Sequence, residues 1–206
     1  LQSVINLYTQ GQIQKSLSIT TVIMEIFPNS VTLYNIAGAS NAGLMQFDAA
    51  INNYKQALKI KPDFAEAYNN MGNALKDKGN IEAALKSYKQ AIKIKPDYAD
   101  AYYNMGITLQ DQGSPEAAIE NYKKALEIKP EYAVVYNNIG NVLQDQGNPE
   151  AALKSYKQAI KIKPDYADAY YNMGITLKNK GNSEAAIDSY KKAIKIKPDY
   201  ANAYNN

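Results

Sequence analysis

The chain has 206 residues, with 23 basic side chains against 20 acidic ones and a net charge of +3. A charge this small creates no long-range field that would favour one class of partner. The absence of cysteine and histidine excludes disulfides and thiol chemistry, and removes the commonest general acid–base group and metal ligand.

Every basic residue is a lysine. No apolar run approaches the roughly 20 residues that cross a bilayer, so no membrane insertion is expected. The lack of cysteine and of a visible leader favours the cytoplasm. The preference for Lys, Asn, Ile and Tyr over Arg and Trp points to an AT-rich microbial genome.

Pro62, Pro96, Pro130, Pro164 and Pro198 are spaced 34 residues apart, and Gly72, Gly106, Gly140 and Gly174 keep the same interval. A period of this length predicts stacked helical hairpins that present a surface rather than enclose a reaction. Residues 1–30 read as a worn copy, with Leu7, Gly11, Ser16 and Pro28 on repeat positions. Full units follow at 31–64, 65–98, 99–132, 133–166 and 167–200. In 31–64, Asn41 stands where a hydrophobe belongs and Met45 where the turn glycine belongs, so its inter-helix turn is the least defined.

The unit 65–98 shows the pattern most fully. Ala67, Tyr68, Met71, Gly72 and Leu75 form one apolar helical stripe, and Ala84, Leu85, Tyr88, Ala91 and Ile92 a second. Gly79 suits a left-handed turn between them. Pro96 disfavours helix at Lys95, Asp97 is the expected cap of the next helix, and Lys93 and Lys95 sit at the negative end of the second helix. In Gly147-Asn148-Pro149-Glu150, Asn148 reads as an N-cap and Pro149 as the first helical residue, and Gly113-Ser114-Pro115-Glu116 reads as the same device. Residues 82–109 are repeated without change at 150–177, a shift of two units, as if the array grew by duplicating pairs. Residues 201–206 begin another first helix, and both this stub and the start at Leu1 without methionine lead us to expect further sequence on either side.

Tyr68, Met71-Gly72, Leu75, Ala84, Tyr88, Ala91 and Pro96 resemble the motif of the tetratricopeptide repeat, with Tyr in place of its usual Trp. The resemblance extends over about 170 residues and implies an all-α fold: an α-solenoid of antiparallel helix-turn-helix repeats forming a right-handed superhelix, as a single array over residues 1–206. It implies that first helices line a concave groove. Ala84, Ala118, Ala152 and Ala186 are then small to permit close helix approach.

The face carrying Glu66, Asn69, Asn73 and Lys76 lies away from the packing stripe. The next units offer Asp100, Tyr103, Ile107 and Gln110, then Val134, Asn137, Asn141 and Gln144, then Asp168, Tyr171, Ile175 and Lys178. By resemblance these are ligand-facing, and Asn/Asn bands alternate with Tyr/Ile bands. Asn70, Asn104, Asn138, Asn172 and Asn206 form a second row. A carboxamide both donates and accepts, so such a row pairs with a peptide backbone without reading its side chains. It is similar to the asparagine ladder in the superhelix of O-linked N-acetylglucosamine transferases. The alternative for the asparagines is bonding across repeats or exposure to solvent. For Tyr103 and Tyr171 it is packing between repeats, and for Ile107 and Ile175 packing is favoured. A cationic clamp for an acidic tail is not expected, because Glu66, Asp100, Asn69, Tyr103, Asn104 and Asn138 stand at its positions and Asp77, Asp111 and Asp145 add negative charge.

No phosphate loop or cluster of metal ligands occurs, and the outer-face lysines Lys86, Lys89, Lys154, Lys157, Lys191 and Lys192 are accompanied by acids. No enzyme activity in this segment, no cofactor, no metal and no nucleic-acid partner are therefore expected. The first expectation is a noncatalytic module that binds an extended peptide or partner protein, and replacing Asn104, Asn138 and Asn172 together with alanine is expected to weaken binding without unfolding. The rivals are a substrate-recruiting arm of a larger bacterial glycosyltransferase or related transferase, and a scaffold that associates end to end through Ala193, Ile194 and residues 201–206.

Overall fold

The computed structural model describes residues 2–204, excepting the side chains of 202 and 204. All the regular structure among them is helical: α1 (Gln2–Thr9), α2 (Ile13–Ile26), α3 (Val31–Gly43), α4 (Phe47–Ile60), α5 (Ala65–Asp77), α6 (Ile81–Ile94), α7 (Ala99–Asp111), α8 (Pro115–Ile128), α9 (Ala133–Asp145), α10 (Pro149–Ile162), α11 (Ala167–Asn179), α12 (Ser183–Ile196) and α13 (Ala201–Tyr204). The fold is an α-solenoid of antiparallel helix-turn-helix repeats. It divides into two compact units, Leu1–Thr108 and Leu109–Asn206.

In the first unit consecutive helices of the series α1 to α6 pack on each other, and α3 also touches α5. In the second, α8 to α13 do the same, and α9 touches α11. Alanines at the helix crossings are fully buried, among them Ala84, Ala152 and Ala186. Gly38, Gly72, Gly140 and Gly174 of the first helices each face a tyrosine ring of the second. A Cβ built on Gly38, Gly72, Gly140 or Gly174 would stand 2.4–2.5 Å from Cε1 of Tyr54, Tyr88, Tyr156 or Tyr190. Tyr54, Tyr88 and Tyr156 are among the largest fully buried side chains, Tyr190 is 4% exposed, and burial raises the pKa of each phenol.

The turns follow the sequence closely. Gly79 has φ +88°; its N–H donates to Lys76 O, and Asn80 N–H donates to Leu75 O at 2.8 Å. That paired pattern is a Schellman closure. Residues 43–46 make the same closure without glycine: Met45 takes φ 59°, and its N–H donates to Ala42 O while Gln46 N–H donates to Asn41 O. Asn41 is buried and satisfies itself by donating to Ala37 O at 2.8 Å. Asn148 caps α10 by accepting from Ala151 N–H at 3.3 Å, and Asn80 and Asn182 do the same for α6 and α12.

Two capping expectations are corrected. Ser114 makes no side-chain cap bond to α8. Asp97 does not cap α7, because Tyr98 O accepts the first helical bonds, from Ala101 and Tyr102. The aromatic residue has another role: Lys61, Lys95, Lys129, Lys163 and Lys197 each place Nζ 4.1–5.5 Å from the ring three residues on. The lysine before each repeat proline thus makes a cation–π contact, which the sequence reading missed.

Candidate functional site

The first helices hold the asparagines by bonds between neighbouring repeats. In the first unit, Asn70 Nδ2 donates to Asn35 Oδ1 at 3.2 Å and Asn104 Nδ2 donates to Asn69 Oδ1 at 3.0 Å. In the second, Asn172 Nδ2 donates to Asn137 Oδ1 at 3.0 Å. The physical cause is spacing. Partners 35 residues apart lie one repeat and one helical step from each other, where adjacent first helices approach.

Asn69 and Asn137 are therefore not open to a ligand. Each is only 4% exposed, and each serves as the acceptor that fixes the amide of the next repeat. Replacing Asn104 and Asn172 would strip those buried oxygens of their donors, so the triple alanine change is not a pure binding change. Asn138 differs: it is half-buried, and its side chain makes no hydrogen bond among the described residues. Asn206 lies outside the described residues.

Asn73 and Asn141 are half-buried and face inward chemically. Tyr88 Oη donates to Asn73 Oδ1 at 2.8 Å, and Tyr156 Oη donates to Asn141 Oδ1 at 2.9 Å. Gln110 takes the same part for Tyr122, at 2.8 Å. Thr176 Oγ1 joins this network by donating to Gln144 Oε1.

Tyr103 is half-buried. Tyr171 packs within its unit, its ring centroid 4.9 Å from that of Tyr200 and 5.9 Å from that of Tyr190. Tyr200 Oη donates to Asp168 Oδ1 at 2.8 Å, so this carboxylate is engaged. Burial, with that carboxylate beside it, raises the Tyr200 pKa. Ala193, expected at an association surface, is fully buried, and Ile194 is half-buried.

A cleft in the first unit encloses about 560 Å³. Ile5 and Tyr8 of α1, Ile36 and Ala39 of α3, and Ala74 of α5 give it an apolar wall. Asn35, Asn70, Asn73 and Asp77 bring polar groups to it, and Tyr54 also lines it. Asp77 lies 3.5 Å from Lys76 Nζ. No basic residue lines the cleft among the described residues. Residues 1–30, the worn copy, thus supply part of the wall, which sequence spacing gave no means of foreseeing.

No group of metal-binding side chains occurs among the described residues, and none of their helices is long and apolar enough to cross a membrane.

No curated protein matches the chain. Among solved structures, it is similar to MamA, at 29% identity and a TM-score of 0.69, covering 83% of this chain and 93% of that one. It is similar to YrrB, described as a TPR protein with an unusual peptide-binding site, at 25% identity and a TM-score of 0.67, covering 90% and 96%. It shares its fold with pilF of Pseudomonas aeruginosa, at 17% identity and a TM-score of 0.83, covering 99% and 93%. The "TPR repeat" model matches residues 46–79 and 72–113, and the "Tetratricopeptide repeat" model matches 97–165 and 131–199. With the glycine–tyrosine seams and Schellman turns recurring on the same period, these matches establish that the chain belongs to the tetratricopeptide-repeat family.

Proposed function

We propose that the chain is a noncatalytic interaction module that takes an extended peptide, or an extended segment of a partner protein, along the face of its first helices. The observation that carries this reading is the cleft of about 560 Å³, where apolar wall and carboxamides lie side by side. An extended segment offers that pairing of chemistries: side chains for the wall and a backbone for the amides. Amides already held by cross-repeat bonds lose little freedom when they bind, which lowers the cost of association. The similarity to YrrB, which is described as having a peptide-binding site, supports the same reading.

The test is retention of a random peptide library by the immobilised chain, compared with a variant carrying Ile36→Arg and Asn138→Ala. Ile36 lines the cleft, and the variant's retention is compared once its helical signal and thermal midpoint match those of the unaltered chain. The expected result is a loss of retention of about tenfold or more. The proposal fails if the unaltered chain retains no more peptide than an unrelated protein, or if the variant retains the same amount.

A further inference from the structure

The cleft exists because one repeat is missing the side chains that its neighbours carry. Asn73, Lys76 and Asp77 of the unit 65–98 correspond to Ala39, Ala42 and Gly43 of the unit 31–64. The loss has a second consequence. In the neighbouring repeats the buried tyrosine hydroxyl donates to a carboxamide oxygen of its own unit: Tyr88 to Asn73, and Tyr156 to Asn141. With Ala39 at the equivalent place, Tyr54 has no such acceptor.

Tyr54 is 2% exposed, lines the cleft and has no hydrogen-bond partner among the described residues. Tyr190 obeys the same rule. Ile175 replaces the amide there, and the Tyr190 hydroxyl is buried without a partner. Only at Tyr54, though, does the position hold a side chain as small as alanine and open onto the cleft. Two unused donors lie nearby. Asn35 and Asn73 both line the cleft, and each bonds through its oxygen alone, to Asn70 Nδ2 and Tyr88 Oη.

We propose that the cleft above Tyr54 is a socket for the side-chain carboxamide of a glutamine or asparagine in a bound peptide. The incoming amide takes the place that Asn73 and Asn141 fill in their own repeats. Its oxygen accepts from Tyr54 Oη, and the apolar stem lies against Ile5 and Ile36. A carboxylate of the same shape is disfavoured, because no lysine lines the cleft to offset its desolvation and Asp77 is itself part of the lining. A thioether of the same length fits the space but leaves the phenol unpaired. This inference rests on the peptide-binding reading above, and adds the identity of the anchoring side chain.

The experiment uses the whole chain and pooled pentapeptides that differ only in a fixed central residue: glutamine, asparagine, methionine or glutamate. The unaltered chain is expected to retain the glutamine or asparagine pool about fivefold over the methionine and glutamate pools, the discrimination expected of one neutral hydrogen bond. Ala39→Asn restores the chain's own amide and is expected to abolish the preference while the thermal melt is unchanged or higher. Tyr54→Phe is expected to abolish it as well. Equal retention of all pools by the unaltered chain overturns the socket alone, as does a preference that survives Ala39→Asn. Failure to retain any pool overturns the socket together with the groove reading.

Discussion

The ring of Tyr88 lies across the backbone of Gly72, so that a Cβ on Gly72 would stand 2.5 Å from Tyr88 Cε1. No side chain fits between two helices at that separation, and the tyrosine cannot move aside because it is itself fully buried. Overpacking of this kind costs about 1–3 kcal/mol, while alanine gains about 1 kcal/mol over glycine in a helix. The overpacking term wins. Gly72→Ala is expected to lower stability by up to about 2 kcal/mol net in a urea melt. An unchanged melt would show that the hairpin opens freely.

Met45 carries the opposite prediction. It holds a left-handed φ of 59° at a position where Gly11, Gly79, Gly113, Gly147 and Gly181 take the same role. The left-handed region costs a residue with a Cβ about 1–2 kcal/mol, and Met45, 76% exposed, offers no buried contact to lose. Met45→Gly is expected to stabilise the chain by about 1 kcal/mol, read as a raised denaturation midpoint with an unchanged slope.

The asparagines separate into supports and free groups. Asn172→Ala leaves the buried Asn137 oxygen without its donor, at a cost of about 1–3 kcal/mol. Asn138→Ala removes no bond and is expected to shift stability by less than about 0.5 kcal/mol. Equal losses in the two variants would contradict this division.

Alkaline pH is expected to unfold the protein through its tyrosines. Burial first, then Glu66 and Asp100 nearby, push the Tyr98 pKa up to about 12 from an ordinary 10.0, and burial raises those of Tyr54, Tyr88 and Tyr156 as well. A phenol whose folded pKa is raised contributes stability that is whole below the unfolded value. That stability is lost as pH climbs toward the folded value, because the unfolded chain releases its protons first. Stability should therefore fall from pH 10.0 upward through about 12, with helix loss and phenolate absorbance rising together. Phenolate absorbance that rises fully while the helix signal stays constant would refute the assignment.

The fold and its turns were legible because their causes are local. Gly79 closes a Schellman turn within five residues of Leu75, and Asn148 caps three residues ahead. Asp97 and Ser114 failed as caps for an equally local reason, a shift of register and a hydroxyl that makes no bond. The site was less legible. Helical spacing placed Asn69 on the ligand-facing face and Asn70 in a second row, and could not show that Asn69 is buried as the acceptor for Asn104 while Asn70 reaches back to Asn35.

From the sequence alone came the repeat, the helix pairs and the small residues at their crossings, since each follows from a period and from the backbone preferences of glycine, proline and asparagine. The tertiary structure decided which tyrosine hydroxyls find an amide, which asparagines hold the repeats rather than face outward, and where a cleft opens. Those outcomes depend on atoms brought together from residues 12 to 35 positions apart, and on the volume that Ala39, Ala42 and Gly43 leave empty over Tyr54. Neither distance nor empty space is written in a linear pattern.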